Sequence, residues 1–586
     1  MREGSGGGSG RLSTMRGTPW RLLAAGALTA LLLDLPFPLA GPLPVWRTVF
    51  AWFALVPLLV GLLRMPDRYT GRRLRWQLGW SFLGGWWCGA LWFGANCYWI
   101  YGTMHIYGQM SAPLAALSLV LFSLYLGFWF GAFSLALAVI RRATFGRRNA
   151  WLAFAAIPLL WTAMEFAIAR IPAFPWDQLG YSQVDNRLLT GLAPWTGVYG
   201  ISFVLAAFNA LQAGVYLRRP SRPETWNRRA FIHPTEVGLL LILVMNFLAS
   251  TGLVPSPKPK GEATAMLVQP NLDVASDDVW VGTEWDRQIA QFEKLGHDTC
   301  RGYLAGIPET GAKTVADVDC NAASTPSLIV WPESPAPFRD ADPRFKEAVA
   351  AIAQADYAPM IVGVIGMDSE ATGQSFHFYN SASVVALDGR LAGRYDKMHL
   401  VPFGEYVPHR ELFFFVRQIA QSLTDMSIGT DRKVFRIGAA NGEAHRYGVF
   451  ICYESVFGDE VRQFAQLGAE VLVNISDDGW YGDTSAPWQH LNMARMRAIE
   501  NRRWILRDTN NGVTASIDPY GTVRQSIPRH QVGVLAAQFG YNDQVTFYTA
   551  HGDWFAALCA ILSLALLLWS GRSLLGYTGL GYSARR

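Results

Sequence analysis

Charge is what this chain has least of. Asp, Glu, Lys and Arg together make up only 16% of its 586 residues, against 51% hydrophobic residues. The formal net charge of +5 is small for the length, and no basic stripe interleaved with aromatics is present, which excludes a nucleic-acid partner. Cysteine is scarce as well. The six cysteines and ten histidines are scattered, with no metal-ligand spacing anywhere, so no metal centre is expected.

The chain is rich in apolar length, with 23 Trp and 33 Phe, and it is too long for one compact domain. The apolar excess is uneven. Residues 20–253 are dominated by long uncharged runs, 254–549 read as an α/β segment, and 550–571 are apolar again. Residues 1–14 are Gly/Ser-rich, cannot build a core and are expected to be a disordered leader or added remnant, with Met15 as an alternative start. Residues 22–35 carry an Arg flank but no small-x-small cleavage site follows, so they are expected to stay as a helix.

A bilayer core of about 30 Å takes roughly 20 apolar residues as helix. By that measure spans are expected at 20–38, 44–63, 77–102, 112–140, 150–169, 195–217 and 236–254, with an eighth at 551–571. Arginines cluster before the first span, between the second and third, fourth and fifth, and sixth and seventh, and after the eighth; the opposite loops carry almost none. The positive-inside rule then puts both termini in the cytoplasm and the α/β segment outside, in a periplasm-like compartment. The expected organisation is a seven-helix transmembrane domain over 15–254, an external domain over 255–549, and a final transmembrane helix with a cytoplasmic tail over 550–586. Two loops on the outer side, 98–108 and 174–183, are dense in Tyr and Trp. Such residues form the ordinary interfacial belt, and their side of the membrane also fits a role in shaping lipid access.

In the external segment, strands are expected at 265–269, 328–331, 360–365, 381–387, 449–452, 471–475, 504–507, 513–518 and 532–538, and helices at 285–294, 343–354, 459–467 and 487–500. That alternation argues for helices covering a sheet. Residues 296–326 look like an insertion, and Cys300 and Cys320 within it can close a surface loop as a disulfide in an oxidising compartment. Cys88, Cys97 and Cys559 fall inside spans and read as inert core thiols.

The sixth cysteine, Cys452, ends the short apolar run of Val449-Phe-Ile-Cys-Tyr-Glu-Ser455. Upstream, Glu333 in Trp331-Pro-Glu-Ser334 and Lys397 in Arg394-Tyr-Asp-Lys-Met-His-Leu400 also close strand-like runs. A thiol is a poor nucleophile until something takes its proton. Glu333 can serve as that base, Cys452 as the nucleophile on an acyl carbonyl, and the Lys397 ammonium as stabiliser of the oxyanion. The product would be a thioester, open to an amine or to water. Phe413, Phe414 and Phe415 cannot all face one side of one element, so a membrane-dipping or lid segment is expected there.

The Glu-Lys-Cys order with its flanks resembles the nitrilase superfamily. Seven spans, an external nitrilase-like domain and one more span make the chain similar to the apolipoprotein N-acyltransferase family. The resemblance covers about residues 15–575. It rests on Phe174-Pro-Trp176, Leu179-Gly-Tyr-Ser-Gln183, Trp331-Pro-Glu-Ser334, Tyr395-Asp-Lys-Met-His-Leu-Val-Pro-Phe-Gly-Glu-Tyr-Val-Pro408, Ile451-Cys-Tyr-Glu454 and Arg497-Ala-Ile-Glu-Asn501. It implies an eight-helix membrane protein with an external α-β-β-α sandwich in a bacterial inner membrane, working as a monomer without cofactor. It further implies ping-pong transfer of a phospholipid sn-1 acyl chain, from phosphatidylethanolamine or a similar lipid, through Cys452 to the amino group of a diacylated apolipoprotein. Glu405 would match the superfamily's second glutamate, and Tyr453 and Glu454 match positions needed for activity. A family tryptophan corresponds to Trp280 or Trp285, with Trp280 preferred. Two strings depart from the pattern. Ser476-Asp-Asp-Gly-Trp-Tyr-Gly482 lacks the usual Asn before the Asp, and Asn510-Asn-Gly512 varies its usual form; both bear on donor and acceptor selectivity.

Two other readings compete. A membrane-anchored nitrilase-type amidohydrolase would use the same three residues, but one span would suffice to anchor it. A transporter with an appended domain would place ionisable residues within spans; Asp34 and Glu165 are the few candidates, both near span ends.

Overall fold

The computed structural model describes residues 9–64, 72–144, 151–218, 259–274, 283–297, 303–304, 316–317, 326–333, 338–369, 376–406 and 426–580. Two bodies pack against each other along one broad seam.

The first body is helical. Five helices are long and apolar enough to cross a membrane: Val45–Leu63, Ala112–Thr144, Trp151–Arg170, Val198–Leu217 and Trp554–Arg572. The first of these is split, with a tight 3-10 segment over Val45–Trp52 and an α-helix over Val56–Leu63. Helices Ser9–Asp34 and Arg72–Asn96 coincide with the expected first and third spans but are diluted by arginines and glycines and fall outside that group of five. The expected span at 236–254 lies outside the described residues.

The apolar faces point both ways. On Ala112–Thr144, Leu117, Val120, Leu121, Leu124, Tyr125 and Phe128 are exposed at helical spacing, while Leu126, Phe130, Phe133 and Leu137 are buried against the bundle. A stripe of exposed large apolar side chains is costly in water and fits a lipid surface. Helices Arg72–Asn96 and Ala112–Thr144 lie backbone to backbone at glycines. A Cβ on Gly89 would sit 2.9 Å from the Gly127 Cα, so any side chain there would part the pair.

The second body is α/β. Its strands are β1 (Glu262–Gln269), β2 (Tyr303–Leu304), β3 (Ala316–Asp317), β4 (Leu328–Val330), β5 (Met360–Ser369), β6 (Phe376–Val385), β7 (Leu391–Asp396), β8 (Val434–Gly438), β9 (Ala444–Ile451), β10 (Val471–Ser476), β11 (Trp504–Thr509), β12 (Thr514–Ile517), β13 (Val523–Ile527) and β14 (Gly533–Gly540). They form an eight-stranded sheet in the order β3-β2-β14-β1-β4-β5-β6-β7 and a six-stranded sheet in the order β13-β12-β11-β10-β9-β8. Strands β1, β4 and β5 run parallel, as do β9, β10 and β11.

Alternation along β1 builds the layers. Ala265 and Leu267 join Val449, Ile451 and Val473 in the core between the sheets. Met266 and Val268 point the other way, onto Phe292 of helix Thr283–His297 and Phe345, Val349 and Ile352 of helix Pro343–Ala355. Because both faces are covered, these strands read as continuous apolar runs.

The seam belongs mostly to helix Ala486–Asn501. It is buried on nearly every side, with Leu491 and Ala498 in the inter-sheet core and Met493, Met496 and Ile499 in the core of the helical body.

Candidate active site

Strand ends from both sheets converge at the seam. Glu333 follows β4, Lys397 follows β7, Cys452 follows β9 and Asp477 follows β10. The buried Lys397 ammonium lies 3.0 Å from Glu333 Oε1 and 2.9 Å from Glu405 Oε1. Asn380, from the middle of β6, donates its Nδ2 to the same two oxygens at 2.7 and 2.6 Å. The outer oxygens are held by backbone: Asp477 N donates to Glu333 Oε2 at 2.8 Å, and Val401 N to Glu405 Oε2 at 2.7 Å. Burial alone would drive Lys397 toward its neutral form, but the two carboxylates outweigh it and hold its pKa well above the ordinary value.

Cys452 opens a 3-10 turn, Cys452–Val456, at the end of β9. Its φ of 47° is left-handed, so the chain turns sharply at the thiol. Burial pushes the thiol pKa well above its ordinary value, Glu333 adds to the rise and Lys397 opposes it. At rest the sulfur is therefore protonated, and a nucleophile made from it needs a base.

Glu454 does not face that cluster. Its Oε2 accepts from Ile451 N at 2.7 Å, and its Oε1 from Tyr395 Oη and Met398 N, both at 2.7 Å. It ties the cysteine turn to the lysine loop. Tyr453 leans the other way, into the helical body. Its Oη donates to Ala173 O at 3.3 Å and its ring stacks 6.5 Å from Trp176. Trp280 and the run Phe413, Phe414 and Phe415 lie outside the described residues, as do Cys300 and Cys320; Trp285 lies in helix Thr283–His297.

Sequence reasoning missed several neighbours. Asn380 is one; its only signal is a polar residue inside a strand. Behind the cysteine turn, Asp478 Oδ2 pairs with Arg507 Nη2 at 2.7 Å and Asp478 Oδ1 lies 2.9 Å from His490 Nδ1, all three side chains fully buried. Burial would raise the Asp478 pKa, but Arg507 and His490 hold it well below the carboxylate range. Its neighbour Asp477 pairs with no cation among the described residues. Burial and Glu333 push it up to about 8.

Asp34 and Glu165 do sit in the helical body. Glu165 Oε1 accepts from Trp161 Nε1 at 2.9 Å and Leu179 N at 2.8 Å, which ties a helix to the loop after it.

A lysine between two carboxylates, a cysteine on a strand-end turn and two facing sheets define a carbon–nitrogen-hydrolase class of protein, here joined to a membrane-type helical body. Residues 312–543 match the Carbon-nitrogen hydrolase family model, and residues 29–211 match that of the Apolipoprotein N-acyltransferase N-terminal domain. Named apolipoprotein N-acyltransferases resemble nearly the whole chain. One from Pseudomonas aeruginosa is 34% identical over 560 residues, 94% of this chain and 95% of that protein. One from Geobacter metallireducens is 29% identical over 557 residues, again 94% and 95%. One from Azotobacter vinelandii is 31% identical, over 98% of this chain and all of that protein. The chain belongs to the apolipoprotein N-acyltransferase family.

Proposed function

We propose that the chain N-acylates the S-diacylglyceryl cysteine at the start of apolipoproteins, taking the acyl group from the sn-1 position of a phospholipid such as phosphatidylethanolamine. The observation that carries this reading is the position of Cys452 at the seam, with the next residue, Tyr453, packed into the helical body. A hydrolase of soluble substrates has no need to anchor its cysteine turn in an apolar helical bundle.

Glu333 takes the Cys452 proton, and the thiolate attacks the ester carbonyl. The Lys397 ammonium stabilises the oxyanion; Glu405 holds it in place, and Asn380 fixes that carboxylate. The ester C–O bond breaks, and the leaving glycerol oxygen of the lysophospholipid takes the proton back from Glu333. In the second half Glu333 accepts a proton from the attacking α-amine, the amide forms, and Cys452 leaves as a thiol. Glu454 keeps the cysteine turn and lysine loop in register. Trp280 and Phe413–Phe414–Phe415 contact the lipid or acceptor.

In the cell the protein is a multi-pass monomer of the bacterial inner membrane. Eight spans cross it, seven within 15–254 and one within 550–586; both termini are cytoplasmic and the 255–549 domain is periplasmic. No cofactor takes part.

The test is the intact mass of purified protein after incubation with phosphatidylethanolamine, compared with Cys452→Ala. An acyl adduct on the wild type alone, discharged by a diacylated lipopeptide into a triacylated product, is expected. An adduct discharged only by water would make the protein an amidohydrolase-type enzyme. Absence of any adduct would overturn the covalent route.

A further inference from the structure

The backbone at Cys452 does not hold its shape unaided. A left-handed conformation is strained for an L residue, and a non-glycine persists there only when its surroundings impose it. His490 supplies a partner, with Nε2 3.0 Å from the Cys452 carbonyl oxygen. A carbonyl oxygen only accepts, so Nε2 carries the hydrogen of that bond. The same Nε2 lies 2.6 Å from Ser455 Oγ in the same turn. On the other side of the ring Nδ1 lies 2.9 Å from Asp478 Oδ1 and 3.1 Å from Arg507 Nη2, which donates to it when Nε2 carries the hydrogen, and Arg507 also locks Asp478 in place.

Ser455, His490 and Asp478 thus stand in the order of a hydrolytic triad. Ser455 is fully buried, however, and cannot reach a substrate. The line ends instead on the carbonyl of the cysteine that the proposed function makes the nucleophile.

We infer that His490 is a positioning residue for the acyl-transfer step, an inference that rests on reading Cys452 as the nucleophile. Its Nε2–H fixes the plane of the peptide between Cys452 and Tyr453, and with it the direction in which the thiol leaves the turn. Arg507 and Asp478 fix the ring. An error of about 1 Å in a reacting atom can cost on the order of 100-fold in rate.

Two amide variants divide the imidazole between them. His490→Gln places an N–H near the Nε2 position and keeps a donor for the Cys452 carbonyl. His490→Asn places its amide near Nδ1, keeping the Asp478 contact and losing the carbonyl bond. Full-length protein in detergent micelles is mixed with phosphatidylethanolamine, and the single-turnover acylation rate of Cys452 is read by intact mass across lipid concentrations. The Gln variant is expected within about 5-fold of wild type and the Asn variant about 10- to 100-fold slower. Half-saturating lipid and melting temperature should be shared by the two. Equal rates for Gln and Asn, a loss in lipid affinity instead of rate, or a rate loss that tracks melting temperature would overturn the inference. Failure of the Asn variant, or of both, to fold would assign the histidine to stability and overturn it as well. If wild type itself takes no acyl mass, the proposed function fails; if wild type acylates and the variants do not separate, only the role of His490 fails.

Discussion

Trp176 donates its indole N–H to Gln489 Oε1 at 2.8 Å, across the seam between the two bodies. The ring also stacks 6.1 Å from His490, one residue further along the same helix. Trp176→Phe keeps an aromatic face and leaves the buried Gln489 oxygen without that donor. A stranded buried acceptor costs about 1–3 kcal/mol. The variant should melt lower in detergent and lose less than about tenfold in acylation rate, since stacking persists. Trp176→Ala removes the ring too, at about 3–5 kcal/mol. Thermal melts and single-turnover acylation, run side by side, check both.

Asn380 separates charge from geometry in the lysine cluster. Its amide donates to both Glu333 and Glu405 while Lys397 binds the same oxygens. Asn380→Asp keeps the shape and adds a third carboxylate against two. The repulsion should disfavour the cluster's close packing of like charges and weaken Glu333 as a partner of Lys397. Acylation should fall by about 100-fold for Asp and about tenfold for Ala, in the range for loss of one organised electrostatic contact. Equal losses for Asp and Ala would show that only the hydrogen bonds matter.

The strand ends before Glu333 and at Cys452 were legible in the sequence because each closes a continuous apolar run, while Lys397 follows a polar edge strand and stood out only through its Tyr395-Asp-Lys-Met-His-Leu400 string. The helices over 343–355 and 486–501 were legible through their Pro starts and apolar spacing. The short edge strands β7, β8 and β13 were not, since half of their residues face solvent or polar partners and their runs are brief. In the sequence His490 is one of ten scattered histidines, and nothing marks it out because its meaning depends on Asp478 and Arg507, which arrive from separate elements. The glycines that keep Arg72–Asn96 from being uniformly apolar serve helix packing, as Gly89 against Gly127 illustrates. A count of hydrophobic runs cannot weigh that.

Arg497 and Glu500 form a fully buried pair on the seam helix. Arg497 Nη2 is 3.1 Å from Glu500 Oε1 and 2.8 Å from Tyr181 Oη, and Glu500 Oε1 accepts from Val198 N at 3.0 Å. Arg497→Met should destabilise by about 3–5 kcal/mol, because it leaves a buried carboxylate without its cation. Adding Glu500→Gln should recover part of that loss. Arg170, paired with Asp459 at 3.0 Å and Asp553 at 2.6 Å, spans the same seam with its side chain 44% exposed. Solvent screening there limits the loss from Arg170→Gln to about 1 kcal/mol or less. Denaturation midpoints of the three variants test the ranking.

Asp477 makes stability and rate depend on pH. It lies beside Glu333, and its carboxyl is raised to about 8 from 3.8 by burial and that neighbour. Between those values the folded protein binds more protons than the unfolded chain, so stability falls as pH rises. The contribution is complete below about pH 4 and gone once pH passes through about 8. Ionisation also adds a negative charge next to Glu333, where the proposed mechanism forms a thiolate, so the acylation rate should drop on the alkaline side of 8. Asp477→Asn removes the ionisation, and its Oδ1 can still accept the Gly479 N–H that Asp477 accepts at 3.0 Å. Melting temperature measured from pH 5 to 9 should decline less in the Asn variant than in wild type, and the alkaline drop in acylation rate should shrink. Identical slopes in the two proteins would mean that Asp477 is ionised throughout, and that its charge is balanced by a group other than those facing it here.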